Sequence, residues 1–492
     1  MIGGARCFKF ANTSAAVLIA VSTAATAADK VVVPTISMPA TYERPGAGEA
    51  VAPAALDRWW LRFDDAQLDA LEDEAMRNGP DALTAAARIV EANQTRKAQT
   101  AQTLPSGSIA GTASRQHAYD LGGDTQNIAP ISGNTDQLGA NFNVSWELDL
   151  FGRLKTQRRI AASDAAQAQF NIEGTRASLA ASVADTYFQI KGLAIQLGDA
   201  RETVRIQDGL LDIARKRARA GAGPDDEVDR VASGVSQATA QADDLDAQMQ
   251  AARRQLLILV GRGLAPDGDL AVSGEPPAVP PTPATLPSEL LSRRPDVREA
   301  EFRLRSQIGT AHLRHLAVFP TITLLPALGL AHSASPGDSF IPPSTVIPSE
   351  IAANEGFWTL AAGVNVPTLD IPKLLFQARA EDARTRQAAI AYERTVQTAY
   401  GDAQSALTSL AASEKASGEL VEGEAQARRA YEGSKRRYAA GLDDLTATLT
   451  TEQAWRSARS AETSERIATL RHTVQVYKAL GGGWAFSGGA GS

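Results

Sequence analysis

From Leu138 the chain alternates without a break. Leu138, Ala140, Phe142, Val144, Trp146 and Leu148 take every second place, with Gly139, Asn141, Asn143, Ser145 and Glu147 between them. A period of two puts apolar side chains on one face of a strand and polar ones on the other. The rhythm returns at Trp358, Leu360, Ala362, Val364 and Val366, interleaved with Thr359, Gly363 and Asn365. Weaker alternation over 107–118 and 321–333 predicts two partner strands, the second with Ile322, Leu324, Leu328 and Leu330 on one face. Each of the four strands is near the length of about ten residues that crosses a bilayer at a tilt.

A different period governs the longer stretches. Val183, Tyr187, Ile190, Ala194, Leu197, Val204 and Leu211 recur mostly at steps of three and four, as do Tyr392, Val396, Ala399, Ala403, Ala406 and Leu410. This is the seam of helices that wrap around neighbours over long distances, and it places Tyr187 and Tyr392 in the core. Residues 153–219 contain no proline, so a single helix there would reach roughly 100 Å at about 1.5 Å per residue. Its end is predicted at Gly221-Ala222-Gly223-Pro224, with a second helix returning; Ala440-Gly441-Leu442 is the equivalent turn later in the chain.

The two halves match. Asn78-Gly79-Pro80-Asp81 corresponds to Arg293-Arg294-Pro295-Asp296 at an offset of 215, and Leu104-Pro105 to Phe319-Pro320 at the same offset. Leu148-Asp149-Leu150 pairs with Leu369-Asp370-Ile371 at 221, and Arg217 and Gly221 with Arg437 and Gly441 at 220. Four ordered matches indicate two internal structural repeats, 28–263 and 289–481, each reading helix, strand, strand and two long helices. Seven prolines between 266 and 287 make residues 264–288 an extended connector. Glycine-rich residues 482–492 read as a flexible tail.

Residues 1–27 have the form of a signal peptide. Arg6 and Lys9 precede the apolar run Ala15–Val21, and Ala25-Thr26-Ala27 is a cleavage site of the A-x-A kind. Export is therefore expected, with no lipidated cysteine, because the only cysteine, Cys7, lies ahead of the apolar run. A mature chain without thiols has no disulfide or cysteine metal site. Removing two positive charges turns the net charge of −7 into −9, which offers no basic footprint for nucleic acid. No run of about 18 apolar residues follows, so no transmembrane helix is expected.

Four amphipathic strands cannot enclose a lumen alone, since single-chain barrels of this kind need at least eight. An open sheet would also leave unpaired amides in lipid at several kcal/mol each. Several copies must then share one barrel, and the heptad seams likewise call for other long helices. The expected fold class is an α+β membrane protein: a long α-helical coiled-coil barrel joined to a transmembrane β-barrel, both shared between protomers. A tube with a polar lining is a conduit. A periplasmic coiled-coil adaptor without a channel would use the helices but leave the strands unexplained.

Several segments resemble one family. Trp59-Trp60-x-x-Phe63-x-Asp65-x-x-Leu68, Val144 to Arg153 (VSWELDLFGR), Leu290-Leu291-x-Arg293-Arg294-Pro295-Asp296-Val297 and Tyr438-x-x-Gly441 with Gln453 are similar to motifs of TolC-like outer-membrane efflux channels, in particular the OprM and NodT branch. The resemblance implies a homotrimer in the Gram-negative outer membrane with a twelve-stranded barrel and a helical tunnel crossing the periplasm. It implies docking to a periplasmic adaptor (membrane fusion) protein and an inner-membrane pump, usually of the resistance-nodulation-division class. The chain would be a passive exit duct for drugs or other small molecules; the same channel could serve metal-ion or type I polypeptide export. Many relatives in this branch carry a lipidated cysteine, and anchoring here would rest on the barrel.

The helix tips carry the candidate functional residues. Asp225, Asp226, Glu227 and Asp229 follow the first tip, and Asp443 and Asp444 the second. Repeated around a symmetry axis they would ring the periplasmic entrance with negative charge and favour cations. The same acids also suit the first turn of a returning helix. Arg219, Ala220 and Gly221, with Ala440, Gly441 and Leu442, are the expected adaptor contacts, each glycine doubling as a helix cap. Trp146, Phe357 and Trp358 are candidate aromatic anchors of the barrel wall. Catalysis is not expected: no P-loop, dinucleotide fingerprint or nucleophile elbow occurs. His312 and His315 lack a third ligand nearby in sequence, and no cofactor or metal is implied. Four scattered methionines form no thioether track for copper or silver.

Overall fold

A computed structural model describes residues 33–43, 56–118, 133–220, 225–270, 272, 275–282, 287–341, 345–440, 442 and 444–483. The signal segment and the residues of the first helical turn, Gly221 to Pro224, lie outside them. The elements run α1 (Ala66–Asn78), α2 (Pro80–Ala101), β1 (Ser106–Ala118), β2 (Gly133–Leu148), α3 (Arg153–Arg219), α4 (Asp225–Leu259), α5 (Leu290–Arg293), α6 (Pro295–Leu316), β3 (Thr321–Ile341), β4 (Thr345–Asn365), α7 (Ile371–Ala439) and α8 (Leu445–Ala479). No described helix is long and apolar enough to cross a membrane.

Two compact units emerge, and each draws on both halves of the chain. One holds residues 93–165 and 303–389, the other 34–92, 166–302 and 390 onward. In the first, the strands form one antiparallel sheet in the order β1-β2-β3-β4. β2 starts five residues earlier than the alternation suggests, β3 runs eight residues further, and β4 begins at Thr345 rather than near Trp358. The ladder continues through Pro336 opposite Glu350 and Pro348 opposite Asp338. Each proline removes only one donor from the ladder, and the partner strand keeps the hairpin zipped.

In the second unit the long helices bury the heptad seams. Val183, Tyr187, Ile190, Leu197 and Leu211 of α3, and Tyr392, Val396, Ala399, Ala403 and Leu410 of α7, are all buried. Ion pairs and hydrogen bonds join neighbouring helices: Arg201 to Asp246 at 3.0 Å links α3 to α4, Arg459 to Asp199 at 2.7 Å links α8 to α3, and Ser413 to Glu465 at 2.5 Å links α7 to α8. Tyr42, in the extended segment 33–43, stacks on Tyr400 of α7 with ring centres 5.8 Å apart. The first two residues read from the sequence as a flexible tail are packed into the fold. Gly482 and Gly483 are buried, and Gly483 N donates to Leu56 O at 3.0 Å. A Cβ on Gly482 would meet Trp59 at 3.0 Å, so the missing side chain is what lets this backbone close over the tryptophan.

Candidate functional site

The sheet separates its side chains cleanly. The ladder sets Phe142 beside Ile109 and Leu328, Leu328 beside Trp358, and Trp146 beside Leu324, so one face is apolar across all four strands. It is also exposed: Ile109, Phe142, Trp146, Leu330, Trp358 and Leu360 all stand open on its surface, Trp358 at 75%. The opposite face carries Thr112, Asn141, Asn143, Ser145, Thr323 and Glu355. Trp146 and Trp358 thus share the apolar face, as expected. Phe357 does not, because neighbours along a strand point to opposite sides. Its ring lies on the polar face directly over Gly329, where it leaves no room for a Cβ. Bare glycine opposite an aromatic covers the ladder backbone with the ring.

At the strand-to-helix junction five residues between 147 and 153 hold the turn. Gly152 adopts φ of 78°, which lets the chain turn sharply out of β2. Asp149 then caps α3, its carboxylate accepting from Leu154 N at 3.0 Å and Lys155 N at 2.8 Å. Arg153 reaches back to Glu147 through both Nε and Nη2. Phe151 stacks on Phe319 with centres 5.0 Å apart. The turn leaves Leu150 exposed, and Leu369 and Phe376 at the second junction are exposed as well.

The other sequence motifs serve the helical unit. Trp59, Trp60 and Phe63 are buried, and Trp59 stacks on Tyr477 at 5.5 Å. Asp65 caps α1 through Gln67 N and Leu68 N and also receives Tyr187 Oη and Lys191 Nζ, each at 2.8 Å from Oδ2. Burial works against its anion, but the bonds from Lys191 and Tyr187 and the lysine charge outweigh it, so the carboxyl stays below its usual range. Burial and the same carboxylate push the Tyr187 phenol well up. Arg293 pairs with Asp57. Arg294 pairs with Asp296 and Asp402 and donates to the carbonyls of Ala399 and Ala479. Burial alone would lower its pKa, and the two carboxylates raise it instead. Sequence reading missed Glu72, which is fully buried on α1 with no partner for either carboxylate oxygen among the described residues. Only its place on the apolar stripe with Leu68, Leu71 and Ala75 could have betrayed it.

The tips are solvent-facing. Arg219 ends α3, and Ala220 N closes the last turn on Lys216 O at 3.1 Å. Ala440 N bonds Arg436 O at 3.1 Å, and Leu442 N bonds Arg437 O at 2.9 Å, leaving the Leu442 side chain 75% exposed. Asp225 opens α4, and Asp226 and Asp229 lie exposed within its first turns. Asp444 is the N-cap of α8, accepting from Ala447 N at 2.7 Å while remaining exposed. Its helix-starting role is therefore real, and its charge still faces water. Gly221, Gly441 and Asp443 lie outside the described residues.

Comparison with known proteins places this architecture. The family model described as outer membrane efflux protein matches residues 71–262 and 286–482. The pyoverdine export outer membrane protein OpmQ of Pseudomonas putida is 28% identical, over 91% of this chain and 93% of its own. Outer membrane protein OprJ of Pseudomonas aeruginosa is also 28% identical, with the same two shares. Among solved structures, the Campylobacter jejuni CmeC outer membrane channel superposes with a TM-score of 0.79 at 19% identity, covering 93% of this chain and 95% of that one. The Neisseria gonorrhoeae MtrE channel gives 0.73 at 22%, covering 92% and 97%. These likenesses establish the fold, and the family match over both halves establishes the kinship: the chain belongs to the outer membrane efflux protein family.

Proposed function

We propose that this protein is the passive outer-membrane exit duct of a tripartite efflux system, working as a homotrimer with a periplasmic adaptor and an inner-membrane pump of the resistance-nodulation-division class. The observation that carries the reading is the four-stranded sheet, which has one exposed apolar face, one polar face and outer strands β1 and β4 that pair on one side only. In lipid, each unpaired edge amide costs several kcal/mol. Joining β4 of one copy to β1 of the next removes both edges, and three copies give a twelve-stranded wall with its polar face inward. Export to the outer membrane would use the N-terminal signal, with the barrel as the membrane anchor. The repeated order of elements in the two halves supports a duplicated origin for this wall.

The protein's own chemistry then reduces to shaping a water-filled path. Small and uncharged side chains such as Ser145, Asn143, Thr112 and Thr323 line the polar face, so a cargo meets few groups that could hold it. Curated relatives named for pyoverdine export and for toluene efflux support an outlet that takes unlike cargoes from its pump. Purification from outer membranes in detergent should give a particle of three chains that forms pores in planar bilayers. Deletion of the gene should sensitise cells to dyes, detergents or hydrophobic antibiotics while the pump is expressed. A monomer without conductance would refute the duct.

A further inference from the structure

The apolar face of the sheet stops before the strands do. Along β2 it runs from Leu148 to Leu138 and then turns to Asp136 and Asn134. Three cross-strand pairs mark this line on the same face, each made by residues directly opposite in the ladder. Arg115 holds Asp136 through Nε and Nη2, both at 2.6 Å. His117 Nδ1 meets Asn134 Oδ1 at 2.7 Å, and His332 Nδ1 meets Asn354 Oδ1 at 2.7 Å. The two histidines stand 215 positions apart, so both hairpins carry the same device at the spacing of the repeat.

The height of the apolar stretch gives the line a meaning. Ten steps from Leu148 to Leu138, at about 3.3 Å each on a strand tilted by about 40°, rise roughly 25 Å, the height of the apolar band of outer-membrane barrels. With the helices on the periplasmic side, the pairs then fall where the hydrocarbon of the outer leaflet ends. Polar groups at that depth must be satisfied within the protein, and the cross-strand partners do this. Arg115 keeps further guanidinium hydrogens beyond the two given to Asp136, and its side chain is 68% exposed. Charge-assisted bonds from such a group suit a phosphate oxygen. We propose that Arg115–Asp136, His117–Asn134 and His332–Asn354 form a belt that sets the membrane depth of the barrel and binds the phosphates of outer-leaflet lipid. The proposal rests on the duct reading above for its orientation.

Depth separates the two ideas. Cys7 is the only native cysteine and belongs to the signal segment, so the exported chain allows single fluorophores at Phe142→Cys, Trp358→Cys and Ala352→Cys of the intact oligomer in vesicles. Brominated acyl chains should quench the first two strongly and the third, level with the Arg115–Asp136 pair in the ladder, weakly. Water exposure at all three would overturn the membrane reading of this face. Strong quenching at Ala352→Cys would overturn the belt alone. For the ligand, native mass spectrometry of protein taken from vesicles of lipid A and phosphatidylcholine should show retained lipid A. Arg115→Gln with His117→Ala and His332→Ala should lose it several-fold while the oligomer stays intact. Unchanged retention would overturn the assignment, and displacement by excess inorganic phosphate would overturn its restriction to lipid.

Discussion

Two acids on or beside α1 titrate in opposite directions, and the reason is their partners. Asp65 is a largely buried anion held by Lys191, Tyr187 and two backbone amides. Because its folded pKa is lowered, its contribution is complete above the ordinary carboxylate range and is lost as pH falls through that lowered value. Thermal melting should therefore show an acid limb that Asp65→Asn removes. Lys191→Met leaves the anion buried without its cation and should destabilise by about 3 kcal/mol. Glu72 is the reverse case. Burial comes first, then the charges of Asp69 and Asp73, and together they push its carboxyl well above the ordinary glutamate range. Its contribution is present below the unfolded pKa and lost as pH rises through the raised folded one, so stability should decline from mildly acidic toward alkaline pH. Glu72→Leu replaces an unpartnered carboxyl on an apolar stripe. It should raise stability at neutral pH by about 1–3 kcal/mol and flatten that decline. A melting temperature that falls in this variant would mean the carboxyl has a partner in the assembled oligomer.

The junction between β2 and α3 turns an abrupt change of period into a folded element. Asp149→Ala should lose the cap and cost about 1 kcal/mol. Gly152→Ala should cost more than Gly→Ala in an ordinary helix, because its φ is positive; melting of the purified variants reads both. These two residues also show where sequence reading reaches its limit. The alternation from Leu138 to Leu148 and the seam through Tyr187 and Ile190 announce a strand and a helix directly, since each period repeats enough times to be unmistakable. The start of β2 at Gly133 and the path of β3 through Pro336 are set by the partner strand, and no local pattern encodes them. The motif from Trp146 to Arg153 stands out in the chain, but its capping and ion-pair tasks become visible only when Asp149 is seen against the amides of Leu154 and Lys155. Phe357 shows a related limit. Its chemistry groups it with Trp358, although a strand must send adjacent side chains to opposite faces.

For the assembled molecule the open question is which charges decide what passes. Glu355 is an exposed acid on the polar face of the sheet, while Asp226, Asp229 and Asp444 stand exposed at the helix tips. Screening ranks them. At physiological salt the Debye length is about 8 Å, so in the proposed trimer carboxylates on the wall of a wide lumen would scarcely act on an ion near its axis, whereas tip acids ringing a narrower entrance would reinforce one another. Neutralising the tips with Asp226→Asn, Asp229→Asn and Asp444→Ser should therefore move the reversal potential in a salt gradient toward zero. Serine preserves the cap on α8, so lost charge is separated from lost helix, and an unchanged melting temperature checks the separation. Glu355→Gln should have little effect at physiological salt and a larger one at low ionic strength, where its field reaches further across the lumen. The opposite outcome, a reversal potential that follows Glu355 and ignores the tips, would place the selectivity of this duct in its membrane wall.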